Sequence, residues 1–192
     1  MPKEYAPLEY LKATGTQWIN LGKLGYDNRL SVDVHMEPTT TTTCVLFGCG
    51  INNNVNGFSI VITNHSSSNH RFDGQKLTMN VYVNKRTIYT LDKNGIEFDN
   101  RFYAWNSAPY YFETEGDVYL MGYNSSNNYT SKGLLYKCEI FKNDILVQNL
   151  IPALRIADSK PGMYDLVSGQ FFTNQGTGEF TYGYVNDVKN NN

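Results

Sequence analysis

The chain has 192 residues, with 16 Lys and Arg against 18 Asp and Glu for a formal net charge of −2. Its densest basic spot is Lys85-Arg86, too little positive charge to neutralise a run of phosphates, which argues against nucleic acid as a partner. No run approaches the roughly 20 apolar residues of a membrane-spanning helix, and the first residues lack the hydrophobic core of a secretory signal, so neither membrane nor signal peptide is expected.

Apolar residues make up 41% of the chain, including 15 Tyr and 10 Phe, which points to a globular, aromatic-rich fold. In chain order, residues 30–37 alternate apolar and polar at every position, the pattern of a strand with one wet face. The five threonines 39–43 lead into TCVLFGCG, which reads as a strand. Residues 58–62 are more continuously apolar and suit a central strand. Alternation returns over 77–83 and again over 136–140. Between these runs stand turn signals at Asn56-Gly57, Asp73-Gly74, Asn94-Gly95, Glu115-Gly116 and Lys142-Asn143-Asp144. The pattern predicts roughly ten to fourteen short strands, with a helical turn near 153–157 ended by Pro161. The fold class is therefore all-β, a two-sheet antiparallel sandwich over residues 1–185, with a polar C-terminal tail over 186–192.

Cys44, Cys49 and Cys138 form an odd set that reads as buried free thiols. In a regular strand Cys44 and Cys49 point to opposite faces. His35 belongs to a wet strand face, and His65 and His70 flank a polar stretch that reads as a solvated loop. Glu113-Thr114-Glu115 and Glu97-Phe98-Asp99 space two carboxylates for one strand face, yet both adjoin turns and read as surface charge. Nucleophile-elbow, phosphate-loop and dinucleotide motifs are missing. The chain is expected not to be an enzyme.

Two blocks carry a resemblance. LEYLKATGTQWINLG spans 8–22, and LYKCEIFKNDILVQNLIPALRIADSKPGMYDLVSGQFFTNQGTGEFTYG spans 135–183. Together they resemble concanavalin A-like lectin/glucanase modules, close to laminin-G-like domains, of the kind found in gut bacterial and bacteriophage structural proteins. The stretch from Asp27 to Tyr129 matches only in strand pattern. Where the family often carries Cys after its Ile-Pro pair, this chain has Ala153, so one pairing open to relatives is absent. Gly162, Gly169, Gly176 and Gly178 read as turn and close-packing positions, and Asp165 and Asn174 as side chains that bond the following turn.

The resemblance implies a jelly roll and a binding or decorating role. The chain would be a phage capsid or tail auxiliary protein, or a cell-surface protein, adhering to host glycans. A virion, extracellular or cell-surface location follows. Other virion or surface proteins are expected partners, and so are further copies of the chain. A purely structural virion protein making only protein contacts is the alternative, and a glycan-cleaving enzyme is a third. The Glu-x-Asp-x-x-Glu strand that glucanases of this fold use is absent. Calcium is the metal the resemblance leaves open, with Asp27-Asn28, Asp73 and Asp99-Asn100 matching by type. Sugars stack on aromatic faces and bond planar amides, a composition found over 101–112 and 123–130. Trp105, Asn106, Tyr110, Tyr123, Asn124 and Tyr129 are the candidate ligand contacts, unless their rings pack between the sheets or against a neighbouring subunit.

Overall fold

A computed structural model describes residues 1–37, 43–49, 57–63, 67–80, 84–124 and 131–185. These residues form two antiparallel sheets facing each other as an all-β sandwich, with no helix among the described residues. Tyr129, His65, most of the threonine run and the tail 186–192 lie outside the described residues.

The larger sheet is ordered β10 (Arg101–Ala104), β9 (Gly95–Phe98), β8 (Arg86–Asp92), β3 (Asn28–Met36), β12 (Lys132–Lys142), β1 (Tyr5–Thr14), β13 (Ile145–Arg155), β14 (Lys160–Asp165) and β15 (Phe171–Thr173), with β16 (Thr181–Tyr184) also on β1. The smaller is ordered β2 (Ile19–Asn20), β11 (Tyr119–Leu120), β4 (Cys44–Cys49), β5 (Gly57–Thr63), β6 (Ser67–Asp73) and β7 (Gln75–Asn80). The sequence pattern undercounts the strands because β2, β11 and β15 are only two or three residues long, too short to show a period.

Alternation does set the longer strands. Leu30, Val32 and Val34 of β3 are fully buried and lie opposite Leu91, Tyr89 and Thr87 of β8 and Ile140, Cys138 and Leu135 of β12. Directly opposed residues share a face, so one dry layer runs across three strands. On the smaller sheet, Phe58 and Phe72 oppose each other across β5 and β6. Their ring centroids are 5.5 Å apart, and Phe112 meets Phe72 edge-on at 5.0 Å. Burying each such ring contributes about 1.5–3 kcal/mol.

β1 is bent. Its first residues pair with β13 (Tyr5↔Arg155) and its last with β12 (Thr14↔Lys132), both antiparallel. Since β12 and β13 are themselves an antiparallel hairpin, β1 must change direction between its two halves. The register against β16 slips there, between Leu8 and Tyr10.

Four sequence expectations are corrected. Residues 153–155 form no helical turn: Ala153 to Arg155 pair with both β1 and β14, and Pro161 lies within β14. The β8–β9 turn is Lys93-Asn94, because Asp92 already pairs with Gly95. Cys44 and Cys49 face the same way, since a bulge between Val45 and Phe47 inserts Leu46 and resets the alternation. The buried Ser131 hydroxyl braces that bulge, accepting from the Val45 N–H and donating to its carbonyl. His70 is no loop residue: it is fully buried on β6, stacked on Phe98 of the opposite sheet at 5.9 Å. All three cysteines are buried and outside any disulfide, as their odd number suggested.

Candidate functional site

The two motif blocks of the sequence meet at one place. The buried Gln17 side chain accepts the Thr14 amide at 2.8 Å and donates to the Glu179 carbonyl at 3.2 Å. Asn174 Oδ1 accepts Trp18 N at 3.0 Å and Gly176 N at 2.8 Å, and Gln175 N donates to Trp18 O at 2.9 Å. Gly176 is obligatory, because a Cβ there would lie 1.9 Å from the Thr16 carbonyl oxygen. This knot ties the segment before β2 to the loop after β15.

Beside the knot a two-stranded crossing runs along the end of the sandwich. Leu21 N donates to Val118 O, Val118 N to Gly22 O, Thr114 N to Leu24 O and Tyr26 N to Phe112 O, at 2.8–2.9 Å. It carries Asp117 up to Asn20, whose Nδ2 donates to Asp117 Oδ2 at 2.7 Å. Asn124 Nδ2 donates to the Asp117 carbonyl at 2.8 Å.

Between the crossing and β15 opens a cleft of about 440 Å3, lined by Asn20, Leu21, Gly22, Asp117, Gln148, Gln170, Phe171, Phe172, Thr173 and Gln175. The volume lies in the range of small-ligand sites. Its polar lining is amides, one hydroxyl and one carboxylate, with aromatic rings beside them. Gln148 Oε1 is buried with no hydrogen-bond partner among the described residues. On the same edge Trp18 stacks on Tyr119 with centroids 3.7 Å apart. Partial burial and the Asp117 carboxylate raise the Tyr119 phenol above its ordinary pKa.

From this edge one register row crosses the outer face of the smaller sheet: Asn20, Tyr119, Gly48, Ser59, Arg71 and Lys76. Tyr123 lies over the middle of it. A Cβ on Gly48 would sit 2.3 Å from Tyr123 Cδ2, so the ring occupies the space glycine leaves.

The sequence-derived candidates fall into two groups. Tyr123 and Asn124 adjoin the Asp117 edge, as described. Trp105, Asn106 and Tyr110 lie elsewhere, on the loop that packs against the β6–β7 turn. Trp105 is 9% exposed, donates Nε1–H to Asp92 O at 2.9 Å and stacks on Phe72 at 6.0 Å. It shares a smaller cleft of about 280 Å3 with Tyr26, Lys93, Asn94, Ser107, Ala108 and Pro109. Asn106 is exposed. Tyr110 is 80% exposed while its amide donates to Asp73 Oδ2 at 3.0 Å.

The residues matched to calcium by type are engaged in turns. Asn28 Oδ1 accepts Gly25 N, Asp73 Oδ2 accepts Tyr110 N, and Asp99 Oδ2 pairs with Lys85 at 2.8 Å. Asp73, Asp99 and Asn100 all have φ between 52° and 57°, left-handed positions that short polar side chains tolerate. No group of three or more His, Cys, Asp or Glu gathers for a metal among the described residues.

Sequence reasoning missed Trp18, Asn20, Asp117, Gln148 and Gln170. The cleft draws on separate stretches around residues 20, 117, 148 and 170, so no local run of sequence betrays it. Compared with protein-family models and with curated proteins, the chain matches none of them.

Proposed function

We propose that this chain is a non-catalytic, concanavalin A-like jelly-roll module that binds a glycan in the Asp117 cleft, as an auxiliary protein of a phage particle or a cell surface. The observation that carries the binding half is the cleft's lining. Gln148, Gln170, Gln175 and Thr173 offer donors and acceptors, Asp117 a charged acceptor, and Phe171 and Phe172 apolar surface. Sugar hydroxyls and C–H faces call for that mixture. The particle or surface setting, and the lectin-like type of the sandwich, rest on the resemblance of the two motif blocks, which also supply every described lining residue of the cleft except Asp117.

One observation favours the structural alternative. Ile145, Val147, Leu166 and Val167 are exposed at 68%, 37%, 46% and 51%, and Leu166 N bonds Asn149 O of β13, so these apolar side chains belong to neighbouring segments. Surfaces of this kind often serve protein contacts.

A glycan array probed with the whole chain tests the proposal. Binding that is lost in Gln148→Ala and Gln170→Ala, with melting temperature unchanged, supports it. No binding at high protein concentration favours the structural protein. Release of shortened oligosaccharides that stops in Asp117→Asn overturns the non-catalytic reading.

A further inference from the structure

We infer that the Asp117 cleft selects glycans without negative charge and turns away their uronate or sulfate counterparts. The inference rests on the glycan reading above and adds the ligand's charge class.

The selection is electrostatic. Of the described residues lining the cleft, Asp117 alone carries charge, and none is Lys, Arg or His. Asp117 takes part in no ion pair among the described residues, whereas Asp33, Glu37, Asp99, Glu139, Asp144, Asp158 and Glu179 each have a cationic partner. What holds Asp117 is neutral: the Asn20 amide on Oδ2 and the Asn124 amide on its backbone carbonyl. Its negative charge is therefore fixed in place and left uncancelled. Next to the lining residues in sequence, Lys23 after Gly22 and Glu115 before Asp117 are both exposed and opposite in sign. The cations of the smaller sheet, Arg71 and Lys76, stand three and four strands away from Tyr119 along the register row. At about 4.8 Å per strand, their backbones stand roughly 14–19 Å from Tyr119, and Arg71 acts on Tyr123 over the middle of the row.

A ligand carboxylate or sulfate seated against the amides meets this carboxylate. At about 4 Å in water, two like charges lower the binding constant roughly sixfold, and more where the cleft excludes water. Uncharged sugars meet no such term and gain a charge-assisted hydrogen bond from a hydroxyl to Asp117.

Calorimetric titration of the full chain tests this with matched oligosaccharides: neutral backbones, and the same backbones bearing uronate or sulfate groups, each at low and high salt. The expected result is binding of the neutral series, at least roughly sixfold weaker binding of the acidic series at low salt, and a gap that narrows with salt. In Asp117→Asn, which keeps an oxygen for Asn20, the gap should also narrow. Acidic ligands that bind as well as or better than neutral ones overturn the selectivity and leave the glycan reading standing. Should Asp117→Asn fail to fold, the salt dependence of the unmodified chain still decides: a gap unmoved by salt overturns the inference. Binding of neither series overturns both.

Discussion

Asn20 and Asp117 lie 97 positions apart in the chain and 2.7 Å apart in space, amide nitrogen to carboxylate oxygen. The other end of the Asn20 amide is also in use, since its Oδ1 accepts Gly22 N at 2.7 Å. Asn20 thus fixes the turn after β2 and the carboxylate together. Replacing it with Ala removes both bonds, each worth about 1 kcal/mol net. Asn20→Ala should lower unfolding free energy by about 1–2 kcal/mol and weaken glycan binding by freeing Asp117. Denaturant unfolding and calorimetric titration read the two effects separately. A variant that loses stability but binds as before would remove Asp117 orientation from the site.

Gly176→Ala should be among the most damaging single-methyl changes in the chain. The added carbon would lie 1.9 Å from Thr16 O and 3.0 Å from the Trp18 ring, and backbone cannot yield as a flexible side chain can. A loss of about 1–3 kcal/mol is expected, with the Trp18–Tyr119 stack disturbed. Thermal unfolding, with near-ultraviolet circular dichroism as a reporter of the indole, checks it. Gly22→Ala is the contrasting control, since nothing stands within 4 Å of a Cβ there and only its φ of 78° opposes the change.

The legible part of this fold was its periodicity. β3 and β7 follow from strict alternation, as does β12 beyond the register shift at Tyr136, and the two-residue turn Asn143-Asp144, with φ of 49° and 62°, follows from its polar pair. Asp165 also matched its reading. Burial pushes its carboxyl up, and hydrogen bonds from Ser168, Asn149 and Val167 outweigh that and leave its pKa below the ordinary value. Interruptions of the period were not legible. The Leu46 bulge turns Cys49 to the core side, and no residue type announces it. His70 sat in a polar run because Ser68, His70 and Phe72 face inward while Asn69 and Arg71 face outward, and two of those inward residues are polar. Of the candidate site, only Tyr123 and Asn124 at its edge were legible as aromatic and amide composition, and none of the described sequence candidates lines the cleft. The cleft itself was not legible, because Gln148 and Asp117 become neighbours only where the edges of the two sheets meet.

Tyr110 and Tyr111 offer a discriminating test of the two aromatic groups. Both rings are largely exposed, at 80% and 76%, on a loop anchored by Asp73, Gln75 and Asp92. Replacing both with Ala should change unfolding free energy by no more than about 0.5 kcal/mol and leave glycan affinity intact if the Asp117 cleft is the site. A large loss of affinity would move the site to the Trp105 loop. Trp105→Ala, by contrast, empties a buried position and should cost about 3–5 kcal/mol, seen as a lowered unfolding midpoint.

Acid should act on this protein through His70. Burial pushes its imidazole pKa from the ordinary 6.5 down to about 3. Ser68 Oγ lies 2.5 Å from Nε2, and Nδ1 has no partner among the described residues. The folded chain keeps the ring neutral where the unfolded chain protonates it, so unfolding takes up a proton between these values. The stability contributed by the neutral ring is fully present above pH 6.5, falls as the pH drops below it, and is lost by pH 3. The slope approaches about 1.4 kcal/mol per pH unit for one such group. Denaturant unfolding of the chain and of His70→Gln, compared from neutral pH down through the acid range, measures it. The variant should start less stable, having lost the Phe98 stack, and should lose stability with acid less steeply than the unmodified chain. Equal slopes would mean that His70 gains its proton without unfolding, through an opening between β6 and β9 that lets water reach the ring.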